Sequence, residues 1–325
     1  MNVLVTGGAG FIGSHVADAF LSRGDRVWVL DDLSAGREEN VPRGAELVVA
    51  DLAGPVVSQL LAKAGIELVS HHAAQVDVRA SVADPARDAR TNVRGLLNLA
   101  EAAVSAGTRR VLYVSSGGVV YGEPERRPTP ESAPKRPLSP YGVSKLAGEH
   151  YLHYYRRVRG LEYVALRYAN VYGPRQDPHG EAGVVAIFAA RLLADAALTV
   201  FGDGEQTRDY VFVDDVVAAN LLAADMELLD CPDDLDAVAY NVGTGIGTSV
   251  NRLAEILEHV ASRTPGREYR DSRPGELRHS ALDAGRLRAH GWAAERTLEQ
   301  GLEETFGYIA RRAEGGLTTQ AASIR

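Results

Sequence analysis

The chain has 325 residues, of which 45% are apolar and 24% charged, a soluble globular balance that excludes a largely disordered protein. Its formal charge of -8 argues against nucleic acid as a partner but leaves room for a local basic pocket that takes an anionic small molecule. The single cysteine, Cys231, excludes an intramolecular disulfide and a cysteine-built zinc site.

The first apolar run, residues 3–5, ends at once in Thr6-Gly7-Gly8, unlike a signal peptide. No later run approaches the roughly 18 residues of a membrane helix. The expectation is a cytoplasmic protein with no membrane partner and no metal.

Residues 2–6 predict a buried strand, followed by a glycine-rich turn and an amphipathic helix over about 11–23. Gly24-Asp25 closes that helix, and residues 26–30 predict the second strand. The alternation continues with strands near 46–50, 66–71, 110–115 and 162–168, and helices near 56–64, 84–106 and 141–159. This rhythm implies βαβ units: an α/β fold with a doubly wound parallel sheet of Rossmann type. After about residue 170 the rhythm loosens, with short helices near 182–195, 213–225 and 249–261. The expected organisation is a dinucleotide-binding domain over 1–170 and a smaller α/β substrate domain over 171–325, interleaved at the boundary. The small polar tail from about 312 reads as mobile.

Gly7-Gly8-Ala9-Gly10-Phe11-Ile12-Gly13 is a G-x-x-G-x-x-G loop between a strand and a helix, the context a dinucleotide site requires. Gly7 permits a tight turn, Gly10 lets backbone approach a pyrophosphate, and Gly13 lets helix and strand pack closely. Phe11 and Ile12 open the helix, whose N-terminus favours phosphate. Asp31 ends the second strand, 18 residues after Gly13. A carboxylate there accepts from ribose hydroxyls and repels a 2′-phosphate, so the predicted cofactor is NAD rather than NADP. Asp51-Leu52 follows the third strand, where it could hold the adenine edge; alone, such an Asp is more often a plain turn residue.

Tyr141-Gly142-Val143-Ser144-Lys145 puts a phenol and an ammonium four residues apart on one helix face. A phenol of pKa about 10 is a poor base at neutral pH, and a nearby ammonium favours its ionised form. Tyr and Lys at this spacing occur on many surfaces by chance. This pair follows a dinucleotide loop and a Ser115-Ser116 segment at the carboxyl edge of the fifth strand, where ligands bind in this fold class.

The segments VTGGAGFIGSH, LDDLSAG, HHAAQ, TNV, SSGGVVYGE, SPYGVSK, LRYANVYGPRQDP, FGDGEQTRDYVFVDD, YNVGTG and RPGE span nearly the whole chain. Together they resemble the extended short-chain dehydrogenase/reductases, and among these the UDP-glucose 4-epimerases (UDP-galactose 4-epimerases). The resemblance implies a UDP-sugar substrate, a homodimer through the helices near 84–106 and 141–159, Tyr141 as base and Lys145 as its partner. It implies that Asn92 lies near the cofactor. Asn170 would hold the diphosphate, Arg208 and Arg273 would clamp it, Val200 and Phe201 would flank the uracil, and Glu276 would meet the uridine ribose. Ser280 would line the sugar pocket and leave room for an N-acetyl group.

Three departures stand out. Relatives often carry Ser or Thr where this chain has Gly117, so the hydroxyl role passes to Ser116. Asp32 stands where relatives often have Asn. The acid pair that related dehydratases place after their active-site Thr is replaced by Gly118 and Val119, which argues against water elimination. The reading is therefore a UDP-hexose 4-epimerase. A UDP-glucuronate or UDP-N-acetylglucosamine epimerase is the alternative on the same scaffold. A non-catalytic dinucleotide-binding regulator is the alternative of another class, though it would have no need of the Tyr–Lys pair.

Overall fold

The computed structural model describes residues 1–178, 183–228, 234–272 and 277–322, with backbone alone for 315–322. The first half alternates strands and helices: β1 (Asn2–Thr6), α1 (Phe11–Ser22), β2 (Arg26–Asp31), β3 (Glu46–Val49), α2 (Val56–Ala64) and β4 (Leu68–His71). Then come α3 (Val78–Ala83), α4 (Pro85–Ala89), a π turn at Arg90–Arg94, α5 (Gly95–Ala106), β5 (Arg110–Ser116), the one-turn α6 (Gly117–Val120), α7 (Pro140–Arg159) and β6 (Glu162–Tyr168).

The second half contains β7 (Asn170–Tyr172), α8 (Val184–Leu193), β8 (Leu198–Phe201), β9 (Thr207–Phe212), α9 (Val213–Asp225), β10 (Ala239–Val242), β11 (Gly247–Ser249) and α10 (Val250–Ala261). It ends with β12 (Arg267–Arg270), α11 (Gly285–Ala289) and α12 (Leu298–Ala322).

Seven strands form one parallel sheet in the order β10-β6-β5-β4-β1-β2-β3. The chain starts in the middle, winds one way through β2 and β3, then returns to β4 and winds the other way. The winding reverses between β1 and β4, and the crevice outside their carboxyl ends is where this architecture binds ligands. Parallel strands are covered on both faces, so β1 carries an unbroken apolar run, Val3 to Val5, rather than an alternating one, and all four residues of β4 are buried. One face packs on α1 and α9 through Val16, Phe20, Val216 and Ala223, the other on α2, α5 and α7 through Leu61, Leu99 and Leu152. A third core lies under α8, α10 and α12, with Phe188, Leu253 and Leu302 against Val200 and Phe212 of β8 and β9.

Two features differ from the sequence expectation. The helix expected near 84–106 runs without a gap from Pro85 to Ala106, but it holds a π turn between α4 and α5, and a separate short helix, α3, precedes it. Asp77 caps α3 by accepting from Arg79 N and Ala80 N, and Asp84 caps α4 by accepting from Arg87 N, so two short helices replace one start. The π turn brings Asn92 inward, where its side chain bonds the backbone of Gln75. Beyond residue 170, strands of three to six residues are too short to show a period of two, and β7 to β12 emerge only from pairing. Among them β10 joins the main sheet beside β6, and α9 packs on α1, so both belong to the first layer despite their place in the chain. The helix α12 takes in residues 312–322 of the segment whose composition suggested mobility.

Candidate active site

The glycine loop sits at the reversal between β1 and β4. Gly7 has φ +67, and a β-carbon on it would come within 2.6 Å of Ala73 N. A β-carbon on Gly13 would lie 2.3 Å from Gly7 O, so strand, loop and α1 touch backbone to backbone. Gly10 caps α1 in extended conformation, and no acidic side chain occupies the first turn with Phe11 and Ile12. That leaves the positive end of the helix free of internal negative charge.

Asp31 closes the loop from the other side. Its carboxylate accepts from Ala9 N at 3.0 Å and Leu33 N at 2.9 Å, and burial pushes its pKa up. The neighbouring Asp32 accepts from Ser34 N and its hydroxyl in an exposed turn. Asp51 is exposed and accepts from Ala53 N at 2.8 Å, while Leu52 is buried against α5 beside Gly95.

The sequence at the start of α7 explains the placement of Tyr141. Ser139 caps the helix by accepting from Gly142 N, and Pro140 fills the first turn, where its missing N–H costs nothing. Tyr141 N donates to Ser81 Oγ of α3 at 3.2 Å. One turn later Lys145 is 2% exposed, and its Nζ donates to Val114 O of β5 at 2.9 Å. That nitrogen lies 5.8 Å from the Tyr141 ring centre and 5.3 Å from that of Tyr113. Burial lowers the Lys145 pKa to about 8, with Asp88 acting against the shift.

Strand alternation separates the two serines. Ser115 points inward and donates to Glu149 of α7 at 2.5 Å. Ser116 is half-buried at the carboxyl end of β5. Its Oγ lies 3.8 Å from where a β-carbon on Gly118 would stand, and Asn170 Oδ1 lies 4.0 Å from the same point. The structure thus gathers Ser116, Gly118 and Asn170 along one edge, at the ends of β5 and β6.

Behind this edge lies an ionic cluster that sequence reading missed. Arg167 and Glu149 are both fully buried and paired at 2.5 Å. Arg167 also bonds Asp236, Tyr121 OH and Glu131 O. Removing one partner of such a pair typically costs about 3–5 kcal/mol, because the other charge is left buried alone. Nothing local in LRYAN or in α7 announces this pairing, since its members are 18 residues or more apart.

Other members of the expected substrate set fall on the smaller layer. Arg208 lies on β9 with Nη1 on Thr207 O. Ser280 is buried, and its N–H donates to the same Thr207 O at 3.1 Å, which brings residue 280 beside the Arg208 strand. Val200 is wholly in the third core, and Phe201 is half-buried next to it at the end of β8. Asn92 is buried at 2% exposure, bonded to Gln75, Asp88 and Ser144. Arg273, Glu276 and Cys231 lie outside the described residues.

Asp209 is a further residue the sequence did not single out. Its fully buried carboxylate accepts from Thr244 N, Thr244 Oγ1, Gly245 N and Leu282 N. It thereby ties the turn after β10 and the 280–284 segment to β9. The only sequence hint is that it follows Arg208. Among the described residues no group of three or more His, Cys, Asp or Glu could hold a metal ion, and no helix is long and apolar enough to cross a membrane.

Comparison with known proteins agrees with this geometry. A curated relative, the UDP-glucose 4-epimerase of Mycolicibacterium smegmatis, is 45% identical over 320 residues, covering 97% of this chain and all of that one. The solved structure of a UDP-glucose 4-epimerase from Thermotoga maritima with UDP-glucose superimposes with a TM-score of 0.92 at 45% identity, covering 96% of this chain and 100% of that one. That of Thermus thermophilus, in complex with NAD, gives 0.89 at 43% identity, with 95% and 98% covered. The family model of the NAD dependent epimerase/dehydratase family matches residues 3–243. That span holds both the glycine loop and the Tyr141–Lys145 helix, and the chain belongs to this family.

Proposed function

We propose that this protein is a UDP-hexose 4-epimerase, which interconverts UDP-glucose and UDP-galactose with a retained NAD and also accepts UDP-N-acetylhexosamines. The observation that carries the reading is the buried Tyr141–Lys145 pair at the carboxyl edge of the sheet, with Ser116 and Asn170 beside it. Its relatives' names point the same way.

NAD fits the residues present. The Gly10 cap carries no side chain and no acidic group occupies the first turn of α1, which suits a pyrophosphate at that helix N-terminus. Asp31, buried at the end of β2 with its carboxylate beside the glycine loop at Ala9, suits ribose hydroxyls and disfavours a 2′-phosphate. Gly10, Phe11, Ile12, Asp51, Leu52 and Asn92 complete the cofactor set. When bound, NAD supplies a hydride acceptor, and in the return step a hydride donor, for the sugar C4.

The chain's own part is proton transfer and positioning. Tyr141 takes the proton of the 4-hydroxyl and later returns it, with Lys145 placing positive charge near the ring, which stabilises a phenolate. Ser116 shares a hydrogen bond with the same sugar oxygen. Asn170, Arg208 and Arg273 hold the diphosphate, because guanidinium groups match its charge and geometry. Phe201 flanks the uracil, to which the wholly buried Val200 before it offers backbone only, Glu276 meets the ribose, and Ser280 borders the sugar. Holding the diphosphate would keep the nucleotide anchored while the sugar is left free to present either face across the site. Residues 1–170 provide the NAD half and 171–325 the nucleotide-sugar half, with α9 and β10 interleaved.

A homodimer is part of the same proposal. Val143, Tyr151, Tyr154 and Val158 form an exposed apolar stripe along α7 at helical spacing, beside α5. A second copy covering this face would bury it. The test of the whole reading is incubation of the purified protein with UDP-glucose and no added NAD, followed by chromatography. UDP-galactose is the expected product, with NAD rather than NADP released on denaturation. Absence of any epimer across a panel of UDP-sugars would sink the proposal.

A further inference from the structure

Helix α4 and the π turn after it carry a buried polar cluster whose carboxylate, Asp88, has no part in the proposed reaction. Asp88 is 1% exposed. Its Oδ1 accepts from Gln75 Nε2 and Asn92 Nδ2, each at 3.0 Å. The Asn92 amide also reaches Ser144 Oγ at 3.3 Å. Ser144 directly precedes Lys145, so two hydrogen bonds tie the carboxylate to the turn of α7 that carries the ammonium. Among the described residues no basic side chain forms a salt bridge with Asp88. Buried charges are normally paired, so a carboxylate held only by amides is an exception that calls for a cause.

Lys145 is the matching exception. It is buried, its Nζ donates to a backbone carbonyl, and no carboxylate among the described residues is in salt-bridge contact with it. The groups facing it are Tyr141 on its own helix, Tyr113 of β5, His71 and His72 at the end of β4, and Asp88 from α4. Burial and the Lys145 charge hold both imidazoles neutral, well below their usual range. Glu149, one turn further along α7, is neutralised by Arg167. Asp88 is therefore the carboxylate left to balance the ammonium. In an interior of low dielectric, opposite charges couple strongly without contact.

We propose that Asp88 is a positioning residue for Lys145, its carboxylate held by Gln75 and Asn92 and tied through Asn92 to Ser144, so that it balances the buried charge on the next residue of α7. The inference rests on the Tyr141–Lys145 reading of the site. It predicts that the effect of Asp88 is electrostatic and pH-dependent, not a uniform loss of activity.

The chain has three lysines, Lys63, Lys135 and Lys145, so lysine labelled with carbon-13 at Cε reports each one separately by NMR. The Lys145 signal is the one missing in Lys145→Met. In Asp88→Asn, which keeps the shape and the Oδ1 acceptor, the Lys145 titration midpoint should fall by at least about half a unit, roughly threefold in proton affinity. Lys63 and Lys135 should not move. The alkaline limb of kcat should shift down by the same amount at unchanged KM. Asp88→Ser is the second variant, with the same expectation.

An unchanged Lys145 midpoint in either folded variant overturns the inference. A shifted midpoint in a protein that epimerises no UDP-sugar upholds it and overturns the proposed function instead. Should neither variant fold, the wild-type titration decides. A Lys145 midpoint below about 8 would show burial unopposed by any carboxylate and overturn the inference, and one at or above that value upholds it.

Discussion

Leu282 stands where a side chain on Gly117 would have to go: a β-carbon at 117 would lie 2.4 Å from Leu282 Cδ1 and 2.9 Å from Cδ2. Leu282 cannot move aside freely, because its backbone N–H is held by Asp209 and its side chain is fully buried. The glycine at 117 is thus matched to a segment 165 residues away. Gly117→Ser should destabilise the protein by about 1–3 kcal/mol, the usual cost of overpacking. Leu282→Ala combined with it should recover part of that loss relative to the sum of the single variants. Urea unfolding of the four proteins checks this, and strict additivity would rule out the contact as the cause.

The two adjacent serines should separate in their effects. Ser115→Ala removes a buried donor to Glu149 and should cost about 1–3 kcal/mol of stability. Ser116→Ala, at the half-buried strand end, should leave stability near wild type and slow turnover more than Ser115→Ala does. Thermal unfolding and kcat on UDP-glucose measured side by side give the answer. The reverse order of turnover would remove Ser116 from the site.

Tyr141→Phe keeps the ring and removes the ionisable oxygen. Turnover should drop by at least about 100-fold, the low end for general acid–base catalysis. NAD should remain bound, since the ring still closes the same space. Turnover within a few-fold of wild type would discard Tyr141 as the base.

The pH dependence has a definite sign. Lys145 titrates at about 8 because burial disfavours its charged form. The ammonium is complete well below that value and is lost as pH rises through it. If turnover needs the ammonium, kcat should fall above about pH 8, whereas an unperturbed lysine would hold it to about 10. A kcat flat to pH 10 would contradict a functional ammonium at this position.

Ser280 is buried and its backbone is stapled to Thr207, the residue before Arg208. A serine there leaves space that a tyrosine would fill, and overfilling typically costs about 1–3 kcal/mol. Ser280→Tyr should lower kcat/KM for UDP-N-acetylglucosamine by roughly tenfold or more relative to UDP-glucose. An unchanged ratio, or a wild type inactive on the N-acetylated sugar, would remove residue 280 as a gate.

Sequence alone determined the parts of this protein that depend on neighbours along the chain. The apolar runs of β1, β2 and β6, the glycine loop opening α1, and the Ser139-Pro140 start of α7 are local, because hydrophobic periodicity, capping and turn chemistry act within a few residues. Tyr141 and Lys145 were legible for the same reason, since one helical turn fixes their shared face. The three- and four-residue strands β7, β8, β10, β11 and β12 were not legible, because a strand that short exists only through its partner. Only the tertiary structure decided that β10 completes the main sheet, that Leu282 bars a side chain at Gly117, that Arg167 meets Glu149, and that Asp88 faces the turn of Lys145. Each of these joins residues distant in sequence whose charge or volume matters only once folding has removed the water between them, and the pattern of a chain carries no record of that removal.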